Sequence, residues 1–158
     1  MRIPLGVAVL ALLLNACLAA GEAGEGGEGE KEKAVAYPGG LTVYPQSRRI
    51  VMEGEICVEG NTALEWGVVM RGGKDYESVV LVDASPSLVH FALVALGFEE
   101  GGGVEKQGDP NVPTGAELLT RIQWREKDRT VTRRLEDLVW NDETRKPMCH
   151  TPFVFTGS

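Results

Sequence analysis

The sequence predicts an α+β fold, a mostly antiparallel β-sheet with one buried helix packed on it. From Leu41 onward, apolar and polar residues alternate with a period of two between turn residues, which is typical of half-buried strands. Residues 85–97 instead follow a helical period and carry residues typical of a helix start and stop. A chain of 158 residues with 43% hydrophobic residues can form a single domain with one core.

The charge balance argues against nucleic-acid binding. The formal net charge is −7, whereas binding to phosphates needs a basic face. A local basic stretch, "RTVTRR" at residues 129–134, is followed directly by Glu136 and Asp137. We therefore expect a solvated face of mixed charge there.

Residues 1–16 have the layout of a secretory signal peptide. Arg2 provides a positive start, and the apolar run at residues 3–14 is too short to span a bilayer comfortably. This pattern predicts export, so the folded part would lie in a compartment that permits disulfides.

The tetrapeptide "LNAC" at residues 14–17 resembles the lipobox of bacterial lipoproteins, in which the cysteine thiol takes a diacylglycerol group. The resemblance implies that Cys17 is lipidated and anchors the protein to a membrane of the cell envelope. Two alternatives stay open at this point. They are ordinary cleavage nearby, after Ala19 or Ala23, and an uncleaved anchor formed by residues 3–20.

Glycine and charged residues dominate the segment "GEAGEGGEGEKEK", which follows the proposed anchor. Such a composition cannot bury enough apolar surface to offset the entropy of ordering, so we predict a flexible tether over residues 17–40. The folded domain is then predicted to occupy residues 41–158.

Three cysteines are present in the chain. If Cys17 carries lipid, Cys57 and Cys149 remain, and an exported domain could join them in a disulfide. The alternative is a pair of unpaired thiols, one of them buried on a strand, because the sequence does not show whether the geometry suits a bridge.

The elements before the helix are short strands. Two are predicted within residues 41–60, on either side of a turn at Pro45-Gln46-Ser47. Residues 64–73 and 76–83 are two further strands, and Gly72-Gly73 between them predicts a hairpin.

The helix has clear boundaries. Ser85 is a suitable N-cap, Pro86 suits the first helical position, and Gly97 suits the left-handed stop. Because the intervening residues are apolar almost all round, we expect the helix to be buried on more than one side.

After the helix, residues 99–115 form a Gly- and Pro-rich loop, long enough to suggest a functional or mobile segment. Strands are predicted in "AELLTRIQWRE" and "TVTRRLEDLVW", although "RRLEDLVW" could also form a helical turn. A last strand begins in "TPFVFTGS", and the sequence stops there without a capping segment, as a truncated domain would.

The stretch from about residue 49 to residue 158 resembles the YdjY-domain family of exported bacterial proteins. The segments "EGEICVEG", "GGKDYESVVLVDASPSLVHFALVALG", "PTGAEL" with "QW", and "FVFTGS" carry the resemblance. Tyr76 and Phe153 depart from it, because the family usually has histidine and tryptophan there. The resemblance implies no established activity, and the chain lacks the cysteines that an iron–sulfur cluster needs.

Lys74, Glu77 and His90 are the candidate polar pocket. An acid at the start of a core strand could pair with a histidine on the helix, and such a contact would raise the pKa of the histidine. The pair could pin the helix to the sheet or form part of a ligand pocket, and both interpretations stay open.

Other chemical arrangements are weaker. Asp83, Ser85 and His90 have the residue types of a hydrolase, but Ser85 is better explained as a helix cap and no nucleophile elbow is present. Cys57 with Cys149-His150 is a poor metal set in a chain with two histidines. We therefore expect no catalytic residue, no metal and no cofactor.

Three tryptophans, Trp66, Trp124 and Trp140, fall on predicted strands. Packing explains them better than a carbohydrate or peptide platform, though such a platform stays open.

These observations favour a membrane-anchored lipoprotein of the bacterial envelope that acts as a non-catalytic binding or assembly module. Its partner would be an envelope protein or a small ligand. The alternative is an enzyme or metal-dependent site built around Glu77 and His90.

Overall fold

The computed structural model describes residues 32–57, 60, 62–106 and 108–157, together with the backbone of residues 15–16. Cys17 lies outside the described residues. So do almost all of the predicted signal peptide, residues 1–16, and the first part of the predicted tether, residues 17–31. Within the described part, no helix has the length and hydrophobicity needed to cross a bilayer.

The first sheet begins before the predicted domain boundary. Strand β1 (Asn15–Ala16) belongs to a later sheet, whereas β2 (Val35–Tyr37), β3 (Leu41–Tyr44) and β4 (Arg49–Met52) form an antiparallel sheet in that order. The tether predicted over residues 17–40 is therefore too long at its C-terminal end. The short apolar stretch in β2 pairs with β3 and belongs to the fold.

The second sheet has the order β5-β7-β6, formed by β5 (Gly54–Ile56), β6 (Trp66–Met70) and β7 (Ser78–Val82). Strand β7 is buried along its whole length, as a central strand should be. The predicted hairpin is wrong, because β6 and β7 run parallel, with Trp66 opposite Ser78 and Met70 opposite Val82.

The connection between these two strands explains the parallel pairing. A tight turn, in which the Gly73 N–H donates to the Met70 carbonyl at 2.9 Å, reverses the chain at the end of β6. A 3₁₀ turn at Asp75–Glu77 then begins β7 beside the start of β6. The glycine pair was a correct turn prediction, but the chain turns back twice rather than once.

Helix α1 (Pro86–Ala95) begins and ends as predicted. The Ser85 hydroxyl accepts a hydrogen bond from the Leu88 N–H at 3.3 Å, and Gly97 has φ +75° after the last turn. Ala92 and Leu93 are buried against the sheet. The outer face is less enclosed than expected, since Phe91 and Val94 are 55% and 45% exposed.

The C-terminal half is made of short antiparallel strands. They are β8 (Ala116–Leu119), β9 (Arg121–Glu126), β10 (Arg129–Arg134), β11 (Trp140–Asn141), β12 (Lys146–Pro147) and β13 (Phe153–Phe155). Strands β9 and β10 form one hairpin, β11 and β12 form another, and β8 lies between β1 and β13. The segment "RRLEDLVW" contains both predicted alternatives, since β10 is followed by a 3₁₀ turn at Leu135–Leu138.

One hydrophobic core joins these elements. The most deeply buried apolar side chains come from the first sheet, β7 and the β9–β10 hairpin, namely Leu41, Ile50, Val80 and Ile122. Trp124 is also in this core, as packing predicts, whereas Trp66 and Trp140 are more than half exposed. The predicted α+β class, mostly antiparallel with one helix packed on the sheet, is confirmed.

Candidate functional site

A groove with mostly apolar walls lies between helix α1 and the edges of two sheets. Its lining includes residues 68–70 of β6, residues 154–157 of β13 and the turn after it, and Val89, His90 and Leu93 of α1. Its volume is about 380 Å³, which lies within the range of small-ligand sites. We call this feature the apolar groove.

The apolar groove exists because neither flanking strand continues the sheet into it. Among the described strands, β6 pairs with β7 alone and β13 pairs with β8 alone, so both are edge strands. Helix α1 also contributes to the lining of the apolar groove, through the buried Leu93 and the half-buried Val89. Met70 is exposed and Val68, Val69 and Val89 are half-buried, so part of the apolar lining is accessible to solvent.

His90 and Thr156 are the residues with polar side chains in the described lining of the apolar groove. The Nε2 of His90 lies 2.8 Å from Glu100 Oε1, and its ring packs edge-on against Phe155 with the centroids 5.3 Å apart. The side chain thus joins α1 to β13 and to the loop that starts at Glu99. These contacts fix the orientation of His90 in the lining of the apolar groove.

The predicted polar pocket is only partly assembled. Lys74 Nζ lies 2.7 Å from Glu77 Oε1 and 3.0 Å from Glu65 Oε2, so these three residues form a charged cluster. The contact with Glu77, followed by the hydrogen bond to Glu65, raises the pKa of Lys74. His90 pairs with Glu100 at 2.8 Å and lines the apolar groove, to which Lys74 and Glu77 do not contribute.

The Lys74 cluster has the features of a structural contact. Lys74 and Glu65 are about half exposed. Glu77 Oε1 is buried, and its contact with Lys74 is an ion pair that does not meet the geometry of a hydrogen bond. The Ser78 hydroxyl donates to the Lys74 carbonyl at 2.6 Å. These contacts fasten the turn that leads into β7.

The hydrolase arrangement is replaced by structural contacts. Ser85 caps α1, and Asp83 Oδ1 accepts a hydrogen bond from Arg71 Nε at 2.6 Å. Arg71 also lies 2.6 Å from Glu55, so one guanidinium joins the ends of three strands. No cluster of three or more metal-ligating side chains occurs in the part of the chain that the structure describes.

The predicted disulfide partners are both free thiols in the structure. Cys57 is partly buried, its Sγ donates to the Ser78 carbonyl at 3.0 Å, and burial is the main cause that raises its pKa. Cys149 is exposed on the segment before β13. A bridge between them stays a prediction for the oxidised protein.

The buried ion pair between Arg134 and Glu136 was not predicted from the sequence. Glu136 is 1% exposed, and its Oε1 accepts hydrogen bonds from both Nε and Nη2 of Arg134. The expectation that Glu136 lies on a solvated face is wrong, because the 3₁₀ turn directs its side chain inward. The possible helical turn in "RRLEDLVW" was the signal that could have indicated it.

No curated protein and no solved structure matches the chain at a significant level. A model of the YdjY domain matches residues 41–158, which include β3 to β13, helix α1 and every side of the apolar groove. The chain therefore belongs to the YdjY domain family.

Proposed function

We propose that this chain is a non-catalytic binding module of the bacterial envelope, tethered to a membrane through lipid on Cys17. In this proposal, the apolar groove holds the apolar part of a small ligand or of an envelope protein. The observation that carries the binding function is the apolar groove itself, a cleft with mostly apolar walls and one histidine in its lining.

A further observation supports binding rather than catalysis. Glu77 lies against Lys74 whereas His90 lies against Glu100, so the two candidate catalytic groups belong to separate clusters. General acid–base catalysis needs both groups within reach of one substrate. An enzyme built around Glu77 and His90 is the alternative, and it would need both groups, which have separate partners here, to reach one substrate.

The binding function can be tested with benzene, a small neutral apolar probe, and NMR of the methyl groups. We expect benzene to shift the methyl signals of Met70, Val89 and Leu93, which line the apolar groove. The signals of Val43 and Val131, which lie in the core away from it, should change little. Equal shifts in both sets, or none in the first, would contradict the proposal.

The anchor can be tested by the intact mass of the protein extracted from host membranes. We expect a chain that begins at lipid-modified Cys17, because "LNAC" resembles a lipobox. A Cys17→Ser variant should lose the lipid mass and leave the membrane fraction. An unmodified cysteine in the membrane-bound protein would refute lipid anchoring without bearing on the apolar groove.

A further inference from the structure

We propose that a second cavity, whose lining carries charges of both signs, binds a free α-amino acid as its zwitterion. The carboxylate of the ligand pairs with Arg48, and the ammonium group of the ligand pairs with Glu99 and Glu117. This site is separate from the apolar groove, so the inference goes beyond the proposed binding function and does not depend on it.

The second cavity is lined by three segments that are distant in the chain. They are Arg48 in the turn between β3 and β4, residues 97–101 after helix α1, and residues 114–117 at the start of β8. Its described lining has no residue in common with that of the apolar groove. Its volume is about 570 Å³, which lies within the range of small-ligand sites. We call this feature the charged cavity.

Arg48 contributes a cation whose orientation is fixed. Its Nε donates to the Leu96 carbonyl at 3.0 Å and its Nη2 donates to the Gly97 carbonyl at 2.8 Å, both at the end of α1. The guanidinium also lies over the Phe98 ring, with Cζ 4.5 Å from the centroid.

This guanidinium keeps donors for an anion. A guanidinium has five N–H donors, and Nη1 of Arg48 makes no hydrogen bond to any residue that the structure describes. Carboxylates are the anions that a planar guanidinium binds best, because two parallel hydrogen bonds can form. Arg48 is therefore suited to hold the carboxylate of a ligand in the charged cavity.

Carboxylates line the same cavity, from Glu99, Glu100 and Glu117. Glu100 lies 2.8 Å from His90 and is engaged there. Glu99 and Glu117 are exposed, and within the described part of the chain their side chains have no hydrogen bond and no ion pair. These two side chains are available to bind an ammonium group.

The opposite charges of the charged cavity do not pair with each other. Among the described residues, no ion pair joins Arg48 to any of the three carboxylates. A ligand with only a positive charge would be repelled by Arg48, and a ligand with only a negative charge would be repelled by the carboxylates. A zwitterion can contact both sets at once, so the mixture of charges selects it over either kind of simple ion.

The test titrates the unmodified protein with L-alanine and with two analogues that each keep one of its charges. L-Alaninamide keeps the ammonium group, and N-acetyl-L-alanine keeps the carboxylate. We expect alanine to bind at least about tenfold more tightly than either analogue, because each analogue loses one set of charged hydrogen bonds. Backbone amide signals of Gly97, Gly101 and Gly115 should shift on binding, while those of Val69 and Met70 in the apolar groove should change little.

Two variants test the roles of the lining residues. Glu117→Gln should weaken alanine binding at least about fivefold, and Glu143→Gln is its matched control, since Glu143 is also exposed and lies outside the charged cavity. Arg48→Met should weaken binding at least about tenfold. Because Arg48 also fastens the end of α1, the Tm of this variant is measured as well, and the Glu117→Gln comparison decides if Arg48→Met does not fold.

Three results would overturn the inference. Equal affinity for alanine and alaninamide would show an acidic surface that attracts any amine. Equal loss of affinity in Glu117→Gln and Glu143→Gln would show an effect of net charge alone. A titration with alanine that leaves the signals of the lining glycines unchanged would show that the charged cavity binds no amino acid, whereas benzene would still test the apolar groove independently.

Discussion

Removal of the buried cation of Arg134 should destabilise the domain strongly. The perturbation is Arg134→Met, which keeps an unbranched apolar side chain and removes the guanidinium. Glu136 is 1% exposed, and its Oε1 accepts both hydrogen bonds from Arg134, while its Oε2 is buried without a hydrogen-bond partner. The substitution would therefore leave a desolvated carboxylate with no partner.

The magnitude follows from the burial of the two partners. Removing one member of a buried ion pair typically costs about 3–5 kcal/mol. Arg134 is 28% exposed, so solvent screens part of the attraction, and we expect the lower end, about 3 kcal/mol. For a domain of this size, that loss corresponds to a fall in Tm of about 10 °C.

The assay is urea unfolding followed by circular dichroism, together with a double-mutant cycle. Adding Glu136→Gln to Arg134→Met should recover at least half of the lost stability, because the unpaired charge is then removed. Arg133→Met is the matched control, since Arg133 is exposed, and it should change the free energy of unfolding by less than about 0.5 kcal/mol. A loss below about 1 kcal/mol for Arg134→Met, or no recovery in the double variant, would refute the reasoning.

Three further predictions concern stability. Ser85→Ala should cost about 1 kcal/mol in urea unfolding, because the helix loses its N-cap, and Ser85→Gly should cost less. Gly39→Ala should cost more than about 1 kcal/mol, because φ is +75° there and a Cβ would lie 2.6 Å from the Asp83 carbonyl; an unchanged Tm would contradict this. The hydrogen bond from His150, 2.7 Å away, is the main cause that lowers the pKa of Asp137. This contribution to stability is present above the ordinary aspartate pKa of 3.8 and is lost as the pH falls through the lower pKa of the folded state. Acidification through this range should therefore lower the stability of the native protein by more than it lowers the stability of the His150→Ala variant. Equal losses of stability in the two proteins would contradict this prediction.

The features that could be predicted best from the sequence are those that depend on residues close together in the chain. Ser85, Pro86 and Gly97 bound the helix because capping and backbone freedom act within one turn. The turns at Pro45 and at Gly72-Gly73 occur for the same reason. The direction of pairing between β6 and β7 depends instead on the path that the chain takes between them, and the glycine pair is compatible with a hairpin and with a double reversal.

The candidate site could not be predicted from the sequence because its parts are distant in the chain. Residues 68–70 and 154–157 belong to different sheets or the turn beside them, and both segments line the groove together with residues of α1. The sequence did select His90, but the carboxylate that pairs with it, Glu100, lies in a loop where many acids would have been equally plausible. Glu136 likewise looks like a surface residue until the 3₁₀ turn directs it inward.

The central claim is that the apolar groove, and not the polar cluster at Lys74, is the binding site. The most direct measurement compares benzene binding by methyl NMR in the native protein, in Met70→Lys and in Glu77→Gln. We predict that Met70→Lys weakens binding at least fivefold, while Glu77→Gln leaves it within a factor of two, since Glu77 lies outside the lining. Loss of binding in Glu77→Gln with full retention in Met70→Lys would contradict the claim.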